Sequence, residues 1–141
     1  MTYSSDFKPW RPASQYIRRI AEFGTFYYRE SDQVLALRLG VDHTNMHAIA
    51  HGGLLATLAD CAMGNALVTR LNVPVVTAQM SLSFLKPVTD GAWLEAHTHI
   101  DKHGRNLVYA TCSLKVDGVD VFQATAIFAV RAGGSVNHGT T

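Results

Sequence analysis

The chain has 141 residues, 48% of them hydrophobic, and 12 Lys and Arg against 11 Asp and Glu leave a formal net charge of +1. That length and apolar content suit one domain with a buried core, and the near-neutral balance supplies no basic stripe for nucleic acid or an anionic membrane. There is no charged start followed by an apolar core and small-residue cleavage site, and no apolar run approaches the roughly 20 residues of a membrane span.

In chain order, "MTYSSDFKPWRP" is polar and proline-bearing, and the closing "AGGSVNHGTT" has little to bury, so both termini are expected to be flexible around a core of about residues 14–131. "SQYIRRIAEF" sets Tyr16, Ile17, Ile20 and Phe23 at helical spacing behind Ser14, a candidate N-cap, and predicts a short amphipathic helix. "QVLALRL" alternates Val34, Ala36 and Arg38 against Leu35, Leu37 and Leu39, a strand with one face fully buried. A histidine-rich loop follows, and from "HGG" a long alanine-rich helix runs to Leu71, broken by Pro74. Four strands are then expected in succession, "VVTAQMSLSFL", "AWLEAHTHI", "NLVYATCSLKV" and "DVFQATAIFAV", joined by turn chemistry at Pro87–Gly91, "KHGR" and "VDGV" as an antiparallel meander. One long apolar helix between an early strand and a meander predicts an α+β protein whose curved sheet wraps that helix.

The long helix carries one acid, Asp60. Gly53 belongs to its first turn, where uncovered N–H groups at the positive helix end would hold a developing negative charge. Asp60 lies seven residues on, so it shares that face but sits about 10 Å along the axis. A reacting atom needs each catalytic group at roughly 3 Å, and one helix cannot supply both. The face between them, Ala56, Thr57 and then Gly64, is built of small residues. A second copy of the helix packed antiparallel near Ala56 and Thr57 would set Gly53 of one chain against Asp60 of the other, twice by symmetry. A carboxylate half-buried among alanines is also poorly solvated, and its basicity is expected to rise.

The combination of Asn45, His47, "H51-G52-G53" and Asp60, extended by Thr77 in "VVTAQMSLSFLKP" and by "HGRNLVYATCSLKVDG", resembles the hotdog-fold acyl-CoA thioesterases of the PaaI-like, phenylacetate-pathway branch. The resemblance implies one hotdog domain over residues 1–141, with a five- or six-stranded antiparallel sheet wrapped round the helix. It also implies dimers that build composite sites and pair into tetramers. It makes the Gly53 N–H the oxyanion donor and lets His51 shape that end of the site. Asp60 becomes general base or nucleophile, Thr77 orients water or the carboxylate, and Asn45 holds water or the leaving sulfur. Lys86, Lys102, Gly104 and Arg105, with Arg131, would contact the coenzyme A part of the substrate. No metal or cofactor is implied. Serine often stands where Thr77 does, and the "AIA" after His47 departs from the common pattern.

Other readings remain beside this one. "DHTNMH" faintly resembles the Asp-x-Asn-Pro-x-His signature of hotdog hydratases and dehydratases, but lacks its proline and leaves Asp60 unexplained. A non-catalytic acyl-CoA-binding module is the third. His43, His47 and His51 recur every fourth residue, a metal spacing on a helix, but precede the helix and include no acid. His97 and His99, on one strand face, read as solvated; Trp93, Tyr109 and Phe128 read as core. Cys61 and Cys112 lack framework spacing and read as small buried hydrophobes of a reducing cytoplasm. The residues leave the acyl group open between aryl and fatty acyl, and the carrier open between coenzyme A and acyl carrier protein.

Overall fold

The computed structural model describes residues 6–10 and 23–131, so the helix expected from Ser14 falls outside the described residues except for Phe23. Among the described residues, seven antiparallel strands and one long helix make up the fold: β1 Lys8–Pro9, β2 Phe26–Arg29, β3 Val34–Arg38, α1 Gly52–Leu71, β4 Val75–Phe84, β5 Trp93–His103, β6 Leu107–Val116 and β7 Val119–Val130. The sheet order is β1-β2-β3-β5-β6-β7-β4, and the helix packs on one of its faces. This is the hotdog arrangement, and no described helix is long and apolar enough to cross a membrane.

Leu54, Leu55, Leu58, Ala59, Ala62, Met63, Ala66 and Leu67 of α1 are buried, most of them against Leu35, Leu37, Leu94, Val108, Leu114, Phe122 and Phe128 of the sheet. The alanines let the helix lie close to the strands, so small side chains serve core packing as well as the outer face. Asn72 closes the helix in the left-handed conformation, its N–H bonded to the Val68 carbonyl, two residues before Pro74.

Four expectations need correction. The four late strands do not form one meander: β5, β6 and β7 do, but β4 pairs with β7 at the far edge, and β3 takes the place beside β5. The segment around Pro87–Gly91 is therefore no hairpin turn. It crosses back beneath the histidine loop with Val88 buried, its carbonyl accepting from Ala50 N–H at 2.7 Å, and Thr89 bridged to Ile49. Turn residues report a change of direction, but not which strand the chain meets afterwards.

Strand β3 is buried on both faces rather than one. Val34 and Ala36 form a second cluster with Phe7 and Trp93. Part of the N-terminal stretch expected to be flexible is thus ordered: Phe7 packs edge-on to Trp93, Lys8 and Pro9 pair with β2, and Trp10 lies against Phe26 and Tyr28. Proline is tolerated there because β1 is an edge strand. Of the three aromatics read as core, Trp93 and Phe128 are buried, whereas Tyr109 is exposed on the sheet face away from the helix.

Strand β4 is the opposite edge, and its sequence from Val76 to Phe84 is exposed apart from Met80, on both faces. Its register slips at one place. Thr77 opposes Phe128 and Gln79 opposes Ile127, so Ala78 is an extra residue in the strand. Seven steps on β4 from Thr77 to Phe84 then match six on β7 from Phe128 to Phe122. Thr77, Met80, Leu82 and Phe84 consequently share the helix-facing side, although strand alternation alone would separate Thr77 from the other three.

Candidate active site

Helix α1 starts from His51, its N-cap, whose carbonyl accepts from Leu54 N–H at 3.0 Å and Leu55 N–H at 3.3 Å. Gly52 and Gly53 fill the first two helical positions, so their N–H groups have no acceptor inside the helix. Gly53 is exposed, and a Cβ placed on it would lie 3.9 Å from His51 Nδ1, so the imidazole flanks the open N–H groups. A Cβ on Gly52 would come within 3.2 Å of the Phe84 ring, so glycine there lets that ring lie close against the start of the helix.

Asp60 lies half-buried two turns along the same face, and Thr57, between them, donates its hydroxyl back to the Gly53 carbonyl at 2.9 Å. The Thr77 hydroxyl, on β4, donates to Asp60 Oδ1 at 2.6 Å. That length is typical of a hydroxyl on an ionised carboxylate. The Ala78 bulge makes the contact compatible with Phe84 reaching Gly52 at the other end of the strand.

Asn45 holds the loop before the helix. Its side-chain oxygen accepts from His47 N–H at 2.9 Å, its N–H donates to the Ile49 carbonyl, and Thr44 bridges Ala50. The tight turn forces Ala48 to φ +60, a conformation that disfavours any side chain.

Five of the sequence-derived residues thus fall into two groups within one chain. Asn45, His51 and Gly53 stand at the helix N-terminus, and Asp60 and Thr77 are joined further along. Among the cations, Lys86 follows β4 at the Gly53 end. Lys102 lies at the end of β5 and Gly104 and Arg105 in the β5–β6 turn, at the sheet end where Leu107 opposes Ala129 and Ala129 opposes Val76 beside Thr77. Gly104 has a local reason to be glycine, since a Cβ would lie 3.0 Å from the Leu107 carbonyl. Arg131 donates its N–H to the Pro74 carbonyl close by.

The histidines part company in the fold: His47 is exposed in the loop turn, His97 bonds Glu95 at 3.0 Å, and His99 bonds Asp101 at 2.9 Å. Thr111 also donates to Asp101, and this bond before that of His99 holds the carboxyl below its ordinary range. Among the described residues no three His, Cys, Asp or Glu groups stand together as metal ligands. Burial pushes the thiols of Cys61 and Cys112 up to about 12, which keeps both protonated at neutral pH.

Sequence reasoning missed an open groove of about 360 Å³ between the histidine loop, the first turns of α1 and the end of β4, lined by Ile49, Leu55, Phe84, Leu85, Lys86 and Val88 among others. Phe84 is 60% exposed in it while its ring meets Phe122 edge-on. The apolar "FL" before Lys86 carried a signal, but its exposure depends on where β4 lies in the sheet.

One helix held in an antiparallel sheet, with open N–H groups at its start and a hydroxyl-bound carboxylate on its outer face, defines a hotdog protein equipped for carbonyl chemistry. Residues 47–122 match the thioesterase superfamily, and the chain belongs to that family. A Pseudomonas aeruginosa protein that bears an esterase name is 37% identical over 110 residues, 74% of this chain and 82% of that one. Among solved structures, a variant of the phenylacetic acid degradation protein PaaI from Thermus thermophilus is 29% identical with a TM-score of 0.64, over 68% of this chain and 82% of that chain. A Streptococcus pneumoniae protein titled a thioesterase, crystallised with coenzyme A, is 27% identical with a TM-score of 0.68, over 73% of this chain and 82% of that chain.

Proposed function

We propose that the protein hydrolyses acyl-CoA thioesters to the free acid and coenzyme A at two composite sites of a homodimer. The observation that carries this is the Thr77–Asp60 hydrogen bond, which holds a carboxylate on the exposed helix face beyond the reach of its own Gly53 N–H. Thioester hydrolysis in the family, and coenzyme A in the Streptococcus pneumoniae relative, support the substrate class.

In this reading the Gly53 N–H donates to the carbonyl oxygen as charge builds there, a donor typically worth about 3 kcal/mol of barrier. Asp60 of the partner subunit, held by Thr77, takes a proton from water as it attacks the carbonyl carbon, or attacks directly and is released by water. Either way the C–S bond breaks, the acid departs, and the proton passes to the thiolate. Asn45 and His51 shape the Gly53 end. The acyl group lies in the Phe84 groove beside that end. Among the described residues no strand pairs with the outer edge of β4, and its exposed apolar side chains, Val76, Leu82 and Phe84, support a partner strand there. A two-fold axis on this edge brings Lys86 of one chain toward Lys102 and Arg105 of the partner subunit, so cations from both converge on the nucleotide phosphates. Dimers pair into tetramers, and the enzyme works in the cytoplasm.

Free-thiol release from a panel of aryl and alkyl acyl-CoAs tests the activity, with Asp60→Asn expected to lose orders of magnitude. The composite site is tested by mixing two inactive variants, Asp60→Asn and Gly53→Pro, the second lacking the N–H. Random re-pairing leaves one intact site in each mixed dimer, so about a quarter of wild-type turnover returns. No recovery would place the site within one chain. Tight acyl-CoA binding without turnover by wild type would favour the binding module instead.

A further inference from the structure

We infer that His43 is a positioning residue for the Gly53 end of the site: its ring fixes the backbone that holds the start of α1, without touching substrate. The inference rests on the thioesterase reading above and extends it to a residue outside the reacting groups.

Of the three histidines spaced by four, His43 is the one drawn inward, in a single 3₁₀ turn at Val41–His43. Its Nδ1 accepts from Gly40 N–H at 2.8 Å, and its Nε2 is bonded to the Phe23 carbonyl. A ring that accepts at Nδ1 must carry its proton on Nε2 to donate to a carbonyl, so both bonds together require the neutral Nε2–H tautomer. The ring also lies against Gly24, where a Cβ would fall 3.1 Å from Nε2 and where φ is +127. Glycine is required there by space and by conformation alike.

The main chain of His43 passes this constraint on. Its carbonyl accepts from His51 N–H at 2.9 Å, and the His51 carbonyl in turn takes the first two bonds of the helix. A continuous run of hydrogen bonds therefore leads from Phe23 and Gly40, through residue 43 and the N-cap, to the turn that displays the Gly53 N–H. The Thr44–Ala50 bridge lies inside this run, so the Asn45 turn is carried with it. Asp60 and Thr77 are bonded to one another and stand apart from this run. Oxyanion donors act only when correctly placed, and a misplacement of about 1 Å can cost roughly a hundredfold. Loosening His43 should thus weaken stabilisation of the transition state while leaving ground-state binding nearly intact.

The test compares His43→Ala, His43→Asn and Asp60→Asn with wild type on one good thioester substrate. The asparagine Oδ1 can replace Nδ1 as acceptor for Gly40 N–H. In His43→Ala, kcat should fall at least about tenfold with KM within about twofold, and His43→Asn should recover most of the loss. Affinity for a thioether analogue, which has no carbonyl for Gly53 to hold, should be unchanged. A lowered melting temperature with kcat within about twofold of wild type would make His43 a structural pin only and overturn the proposal. Should His43→Ala not fold, His43→Asn, which keeps the Gly40 bond, and His43→Gln, which can keep the Phe23 bond, bear the test. Wild-type kcat in His43→Gln overturns it, and a loss of kcat in His43→Gln at constant analogue affinity, with His43→Asn nearer wild type, upholds it. Full turnover by Asp60→Asn would instead sink the underlying hydrolysis reading, whatever His43 does.

Discussion

Replacing Thr77 by valine removes the hydroxyl that holds Asp60 and changes almost nothing in shape. The bond lost is 2.6 Å long and its acceptor is a carboxylate. Hydrogen bonds to charged groups contribute about 1.5–3 kcal/mol, and because Thr77 is exposed and Asp60 only half-buried, water replaces part of the interaction. A value of about 1–2 kcal/mol in the transition state corresponds to a fall of about five- to thirtyfold in kcat. KM should hardly move, because the bond positions a reacting group and not the acyl-CoA. Thr77→Ser keeps the hydroxyl and should stay within about threefold of wild type. The assay is initial-rate thiol release at saturating acyl-CoA, with melting temperature as a check on folding. A valine variant within twofold of wild type, or a serine variant as impaired as valine, would refute the idea that this hydroxyl sets the carboxylate, the factor being about 0.4 kcal/mol.

Three further outcomes are expected. Ala48 occupies a left-handed conformation, so Ala48→Gly should raise stability by about 1 kcal/mol in denaturant melts; an unchanged or lowered midpoint would show that the turn carries no such strain. Cys112, fully buried and with its thiol pushed up to about 12, should alkylate at most slowly at pH 8 in the native protein and quickly in denaturant; rapid native labelling would contradict its burial. Deleting Ala78 removes the extra residue of β4 and makes Thr77 and Met80 next-but-one neighbours, so plain alternation keeps Thr77 on the side of Met80, Leu82 and Phe84 with the same partners on β7. Turnover should stay near that of wild type, and a fall as large as in Thr77→Val would show that the bulge itself, and not only the side of the strand, places Thr77.

Several features were legible in the sequence because they depend on local chemistry. The helix from "HGG" to Leu71, ended by Asn72 and Pro74, follows from propensity and from residues that can or cannot continue a helix. The strand segments follow from alternation and flanking turn residues, and their observed bounds lie within a few residues of those expected. Even the distance between Gly53 and Asp60 follows from helical pitch alone. Pairing does not follow in this way. Nothing local in "VVTAQMSLSFL" says that it joins β7 at the far edge and not β5, its neighbour in sequence. The order is settled by which arrangement lets β3 to β7 enclose the helix together, a global property of the packed core.

The same division runs through the site. Residue types and spacing suggested Gly53 as an oxyanion donor and Asp60 as an acid, and the family resemblance added the Thr77 hydroxyl, all as expectations. Only the fold joined Thr77 to Asp60, by lodging an extra residue at Ala78 that strand periodicity cannot reveal. His43 looked equivalent to His47 and His51 in the sequence, and tertiary contacts from Phe23 and Gly40 made it different. Phe7 and Trp10 looked like part of a polar tail until the open face of β3 and the edge strand beside it gave them something to cover. The sequence by itself determined which elements form and which chemistry they carry, because those depend on neighbours a few residues away. The tertiary structure alone decided which of those groups meet, because contact between distant segments is set by how the whole chain buries its apolar surface.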